Sequence, residues 1–281
     1  MKTVISASRR TDLPAFFPDR LAAALRAKSV RVLGPRGHLR AVDLDPRSVH
    51  TVVLWSKNFR NLVRNEAGLR DLLAAYDQLY LHFTVTGLGG TPVEAGAPDL
   101  GEALAQLPAL VAIAGLARRI SLRFDPMLFW REGTAVHSNL TSFGKIAAAA
   151  AGLGVRDIRV SFAQWHPKAR KRASIRGFDF VDPPEAEKKA RAAALAEEAG
   201  KLGLDLYACC QPFLKESDGI RPSACIDGRL LQSLHPGREP VSYKKDGSQR
   251  AGCLCTESLD IGSYTQTCPH GCVYCYANPA A

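Results

Sequence analysis

For its first 208 residues the chain contains no cysteine; all eight lie in the last 73. Disulfide scaffolds do not usually leave most of a chain unstapled, so this crowding points to metal binding or redox chemistry. Long hydrophobic runs are missing too. The best candidate, LPALVAIAGLA, is cut off by Arg118 and Arg119, short of the roughly 18 apolar residues that span a bilayer. No membrane partner is expected. The opening MKTVISASRR lacks the apolar core of a secretion signal, so a cytoplasmic location is expected, where thiols stay reduced.

Acidic residues are outnumbered, 27 against 37 Lys and Arg, giving a net charge of +10. Such an excess suits an anionic substrate or a nucleic acid. The densest basic run is HPKARKRASIR, with Lys168, Arg170, Lys171, Arg172 and Arg176. It has no interleaved aromatics and reads equally well as a solvated helix start.

What is present is a regular alternation. TVISAS (3–8), TVVLW (51–55), LYLHFTVTG (79–87), ISLRFDP (120–126), IRVSFAQ (158–164) and LDLYACC (204–210) read as strands. Helical stretches separate them, among them PDRLAAALRAK, a long amphipathic FRNLVRNEAGLRDLLAAYDQL, and PPEAEKKARAAALAEEAGKLG. Residues 30–45 look like a hairpin insertion turning at GPRG. Six strand–helix units predict an α/β fold with parallel strands, specifically a partial (β/α)6 TIM-like barrel over residues 1–210. Residues 211–281, rich in Gly, Pro and Cys, predict an irregular metal-binding extension packed over the open end of that barrel. Function in such folds collects at strand C-terminal ends, here SASRRTD, WSKN, TVTG, RFDP, SFAQWH and ACCQ.

The closing stretch TCPHGCVYCYAN spaces Cys268, Cys272 and Cys275 as Cys-x3-Cys-x2-Cys. Three thiolates from one tight loop can hold three irons of a 4Fe–4S cluster and leave the fourth open. The competing arrangement is a zinc site drawing on Cys253, Cys255, Cys268 and one or two of the last pair. Of the other five cysteines, Cys210, Cys225, Cys253 and Cys255 form a candidate second set, for an auxiliary iron–sulfur cluster or structural zinc. Cys209 is expected to point into the sheet if its strand continues.

CPHGCVYC resembles the cluster motif of radical S-adenosylmethionine (SAM) enzymes, including the aromatic residue before the third cysteine. More narrowly, the chain resembles a family of bacterial domains of unknown function in which that motif lies at the C-terminus. The likeness runs through SASRRTDLPAF, LWSKN, TVTG, RFDP, ACID and CLCTESLDIGSYTQTCPHGCVYCYAN. It implies a 4Fe–4S cluster on Cys268, Cys272 and Cys275, with SAM on the open iron. A low-potential donor of ferredoxin or flavodoxin type would reduce the cluster, and reductive cleavage of SAM would give an adenosyl radical that abstracts hydrogen from a substrate. In that superfamily the cysteines normally follow the first barrel strand. A tail folding back over the strand ends would restore that position.

Other residues at the strand ends take expected roles. Lys57, with Ser56, stands where the superfamily usually has a glycine–glycine–glutamate motif and would meet the carboxylate of SAM. Thr84 and Thr86 would bind a ribose or substrate. Arg123 and Asp125 alternate with Phe124 and share one side of their strand; Arg123 would bind cofactor and Asp125 would act on substrate. Arg10 suits an anionic substrate, and Asp12 suits a helix cap. The rival from another class is a zinc-stabilised, non-enzymatic nucleic-acid-binding protein; a redox-active scaffold that never cleaves SAM is a third.

Overall fold

The computed structural model describes residues 1–33 and 37–280. Thirteen strands form among them: β1 Thr3–Ala7, β2 Ser29–Leu33, β3 Leu39–Asp43, β4 Val49–Ser56, β5 Leu79–Thr84, β6 Ile120–Met127, β7 Phe129–Glu132, β8 Ala135–Ser138, β9 Asp157–Phe162, β10 Asp179–Val181, β11 Asp205–Ala208, β12 Ile220–Pro222 and β13 Leu259–Asp260. Eight make one sheet in the order β12-β11-β9-β6-β5-β4-β1-β13, and every pairing in it is parallel. From β1 to β12 neighbours follow chain order, with crossover connections between them, whereas the last strand, β13, returns to pair with β1. The two ends, β12 and β13, do not pair, so the sheet is open.

Its central strands are buried on both faces, and alternation divides them between two cores. Ile5, Val52, Leu54 and Leu81 pack under the helices. Val4, Val53 and Tyr80 face the opposite way, onto Cys225, Ile226, Leu231, Leu234, Val241 and Cys255. The cysteine-rich tail therefore covers the face that the helices leave bare. At ~25 cal/mol per Å² of apolar area, each fully buried large side chain contributes about 1.5–3 kcal/mol to that docking.

Several expectations need correction. The stretch after β4 is not one long helix but Arg60–Val63 and Leu69–Leu73. Asn65, Ala67 and Gly68 adopt positive φ between them, which a helix cannot carry. Strand β5 stops at Thr84, so Thr86 lies beyond it. Residues 211–281 are less irregular than their composition suggests, supplying β12, the helix Gly228–Leu234 and β13. A separate antiparallel sheet, β10-β7-β8, was not foreseen. The hairpin β2–β3 forms, but most of its GPRG turn lies outside the described residues. No helix among the described residues is long and apolar enough to cross a membrane.

Candidate metal centre at the strand ends

Because the eight strands are parallel, their C-terminal ends share one edge of the sheet. The tail reaches that edge through β13, where the Ile261 amide donates to the Ser6 carbonyl (2.9 Å). Asp260 then collects the Ser6 hydroxyl (2.8 Å), the Ser8 hydroxyl (2.9 Å) and the Arg9 amide (2.9 Å). Eight residues after Asp260, Cys268 opens the cysteine loop, which settles against the loops after β1, β4 and β5.

That loop is held from several sides. Val273 donates its amide to the Val93 carbonyl (3.0 Å), and Gly96 donates to the His270 carbonyl (3.0 Å). A Cβ at Gly96 would stand 2.2 Å from the Pro269 carbonyl oxygen, so only glycine permits the approach. Gly271 turns the loop at φ +62°, which favours glycine. The His270 ring lies between the Gly96 carbonyl (3.0 Å) and the Asp12 carboxylate (2.7 Å), with Phe16 edge-on at 4.6 Å. Opposite, Arg172 donates to the carbonyls of Val273 and Cys275, and Arg176 to those of Gly271 (3.2 Å) and Pro92 (3.1 Å).

The three thiols share this enclosure. Burial pushes Cys268 up to about 11 and raises Cys272 and Cys275. A metal taking them as thiolates would have to displace those tightly held protons. Among the described residues no three cysteine sulfurs lie within 4.8 Å of one another, whereas tetrahedral zinc at about 2.3 Å needs its sulfurs about 3.8 Å apart.

Beside Cys272 lies a buried charge network. Glu94, 1% exposed, accepts from Lys57 Nζ (2.9 Å), Thr86 Oγ1 (2.8 Å) and the Tyr274 hydroxyl. Burial pulls the Lys57 ammonium down, but Glu94 and then Cys272 outweigh it and leave its pKa raised. Burial, and next Cys272, push the Tyr274 hydroxyl well up. Thr84 lines the small cleft beside Lys57, Thr86 and Glu94. Ser56 turns away, donating to Asp12 (2.9 Å). Asp12 caps the turn at Ala15 as anticipated (3.0 Å), but also receives the Lys57 amide (2.9 Å) and faces His270.

The second cysteine group surrounds Cys225. Its sulfur is 3.5 Å from that of Cys209 and 3.0 Å from Arg123 Nη1. Hydrogen bonds from Cys209 and then Cys255 hold the Cys225 thiol well below its ordinary value. Cys255 also holds Cys253 down, to about 6, and Cys210 adjoins Cys253. The expectation for Cys209 is thus overturned: β11 ends at Ala208, and its side chain turns to Cys225 rather than into the sheet.

Arg123 pairs with Asp125, which also accepts from the Ser161 hydroxyl. The Arg123 guanidinium stands 5.2 Å from the Trp55 ring centre and that of Arg9 5.4 Å, while His82 stacks on the same indole at 4.0 Å. Arg10 lies over Tyr264 (5.0 Å) and donates to the Gly262 carbonyl (3.2 Å), so it braces the tail. Glu94, His270 and Tyr274 carried no periodic signal in the sequence; their partners are brought to them where separate loops meet. At the opposite end of the sheet Asp77, His235 and Glu239 bring ligand-type atoms within 4.8 Å. Lys2 sits between the two carboxylates at 2.8 and 3.0 Å, so that group is a charge cluster.

A family model described as a domain of unknown function, DUF1848, matches residues 4–277. The chain belongs to this family. No curated protein matches it. Among solved structures, a D-hydantoinase is 14% identical, with TM-score 0.35, over 76% of this chain and 42% of the other. A second, the D-hydantoinase of Bacillus sp. AR9, is 15% identical, with TM-score 0.36, over 88% and 52%. The DUF1848 chain spans about half the length of these structures. Likeness at these TM-scores carries no argument about its fold or activity.

Proposed function

We propose that this DUF1848 chain is a radical SAM enzyme on a partial (β/α)6 barrel, with its 4Fe–4S cluster held by Cys268, Cys272 and Cys275. One observation carries the reading: the Cys-x3-Cys-x2-Cys loop lies at the strand C-terminal edge, against the loop after β1, tied there by His270 and Asp12. When bound, the cluster would supply an electron to the carbon–sulfur bond of SAM coordinated at its open iron. Lys57 and Glu94, buried beside Cys272, offer charges of both signs to the amino and carboxylate groups of SAM.

The second group, Cys209, Cys210, Cys225, Cys253 and Cys255, suits an auxiliary iron–sulfur cluster. Cys209 joins the four expected members because its sulfur adjoins Cys225. Between the two groups lie Trp55, Arg123 and Asp125, with Arg9 at the rim. Their charges fit an anionic substrate, positioned by the arginines and facing the Asp125 carboxylate.

The test is electron paramagnetic resonance on chain reconstituted with iron and sulfide without oxygen and reduced by dithionite, with and without SAM. A 4Fe–4S signal that changes when SAM is added supports an open iron. A signal indifferent to SAM means electron transfer or structure and overturns the enzymatic reading. Uptake of zinc alone, with salt-sensitive binding of nucleic acid, favours the zinc-stabilised binding protein.

A further inference from the structure

The helix Pro167–Ile175 has two unlike faces. Ala169, Arg172, Ala173 and Arg176 follow one another at helical spacing, and this face packs inward. Its alanines are buried, and its arginines bond the backbone carbonyls of the cysteine loop. Lys168, Lys171 and Ile175, at i, i+3 and i+7, form the outward stripe, and all three are exposed. Ile175 is 75% exposed and gives the stripe an apolar end beside the lysines. Residues 163–178 contain no acidic residue, and among the described residues neither lysine forms an ion pair with a carboxylate.

We propose that this outward stripe is the docking surface for an acidic one-electron carrier protein that reduces the cluster. The proposal rests on the reading of Cys268, Cys272 and Cys275 as the cluster ligands. The carrier loses one electron, the cluster gains it, and no other reactant is needed. The helix touches the loop through Arg172, so a partner on its outward stripe is separated from the cysteine loop by the body of this one helix, about 10–12 Å across with its side chains. An exposed apolar side chain beside positive charge fits the small, transient interfaces of redox encounters. It fits a nucleic acid less well: the surface is one convex helix of nine residues, without a groove or a stacked aromatic on its stripe. Opposite charge would serve chiefly to speed and orient the encounter.

The test uses the full chain, a purified acidic flavodoxin and the variants Lys168→Glu/Lys171→Glu and Ile175→Ser. These side chains are exposed and outside the cysteine sites. Calorimetric titration of oxidised flavodoxin into the chain needs no cluster; the charge-reversed variant should bind at least about tenfold more weakly and lose its salt dependence. Ile175→Ser should bind more weakly while keeping that salt dependence. In stopped flow, reduction of the loaded chain by flavodoxin should slow in both variants, while dithionite reduces each at the wild-type rate. Unchanged flavodoxin binding in the charge-reversed variant overturns the proposal. So does loss of salt-sensitive binding to a single-stranded oligonucleotide with flavodoxin binding intact, which would assign the stripe to nucleic acid. A chain that takes up no dithionite-reducible cluster defeats the cluster reading itself, and the titration still judges the surface separately.

Discussion

The Nε2 of His270 stands 2.7 Å from the Oδ2 of Asp12, joining positions 258 apart in the sequence. The same carboxylate oxygen takes the Ser56 hydroxyl and the Lys57 amide, and its partner oxygen caps Ala15. One buried side chain thus locks the β1 loop, the β4 loop and the cysteine loop together. Asp12→Ala leaves those donors unpaired and should cost about 3 kcal/mol of stability. Urea unfolding measures the cost. Alkylation of Cys272 in the metal-free chain should also accelerate, because its enclosure depends on that lock; an unchanged alkylation rate would mean that the loop holds without Asp12.

Lys57 and Glu94 should behave as a coupled pair. Glu94→Gln strands a buried ammonium and Lys57→Met strands a buried carboxylate, so each should cost about 3–5 kcal/mol. The double variant should cost clearly less than the sum. Simple additivity in urea unfolding would show that the two charges act independently, against their 2.9 Å contact.

Stability should fall as pH drops below neutrality. Burial holds His50 below its ordinary value of 6.5, and burial also lowers His235, whose ring lies tilted against it at 4.5 Å. With folded pKa values depressed, the unfolded chain binds more protons as pH falls through about 6.5. The contribution is therefore complete above that pH and is lost on the way down to the folded values. Asp77 is lowered by Lys2 from a carboxylate value of 3.8, so its own loss begins only in stronger acid. The urea midpoint should be lower at about pH 5.5 than at about pH 7.5, and His50→Gln should flatten the difference. An equal slope in that variant would assign the pH dependence elsewhere.

The parallel sheet was legible because each central strand is a short β-branched run between helical stretches, and crossover connections leave parallel pairing as the economical solution. What the sequence hid was joining at a distance. β13 is two residues long and becomes a strand only because β1 offers an edge. Cys209 looked like a strand residue because nothing local reveals that β11 stops at Ala208. Asp12 was legible as a cap but not as the anchor of a histidine near the other end of the chain. The cysteine loop stood out by its spacing, whereas Glu94 and Tyr274 acquire their partners only when separate loops meet. The basic run was legible as charge, but its division into an inward clamp and an outward stripe needed the helix register.

The two cysteine groups should load separately. They belong to different layers: Cys268, Cys272 and Cys275 on the loop clamped by Arg172 and His270, and Cys225 and Cys255 in the apolar core under Val4, Val53 and Tyr80. If both hold 4Fe–4S clusters, reconstituted chain should carry about eight irons, and the variant with Cys268, Cys272 and Cys275 all changed to Ser should keep about four. That variant should also lose any spectroscopic response to SAM, since its remaining cluster would have no open iron. Changing Cys225 and Cys255 to Ser should remove the other four while sparing the response. It should also lower stability more, because Cys225 and Cys255 are buried against the sheet whereas the closing loop lies at its rim. Four irons in the wild type, all lost with the closing loop, would instead make Cys209, Cys210, Cys225, Cys253 and Cys255 a set of thiols without a cluster. Arg123, 3.0 Å from the Cys225 sulfur, would then serve to stabilise a free thiolate.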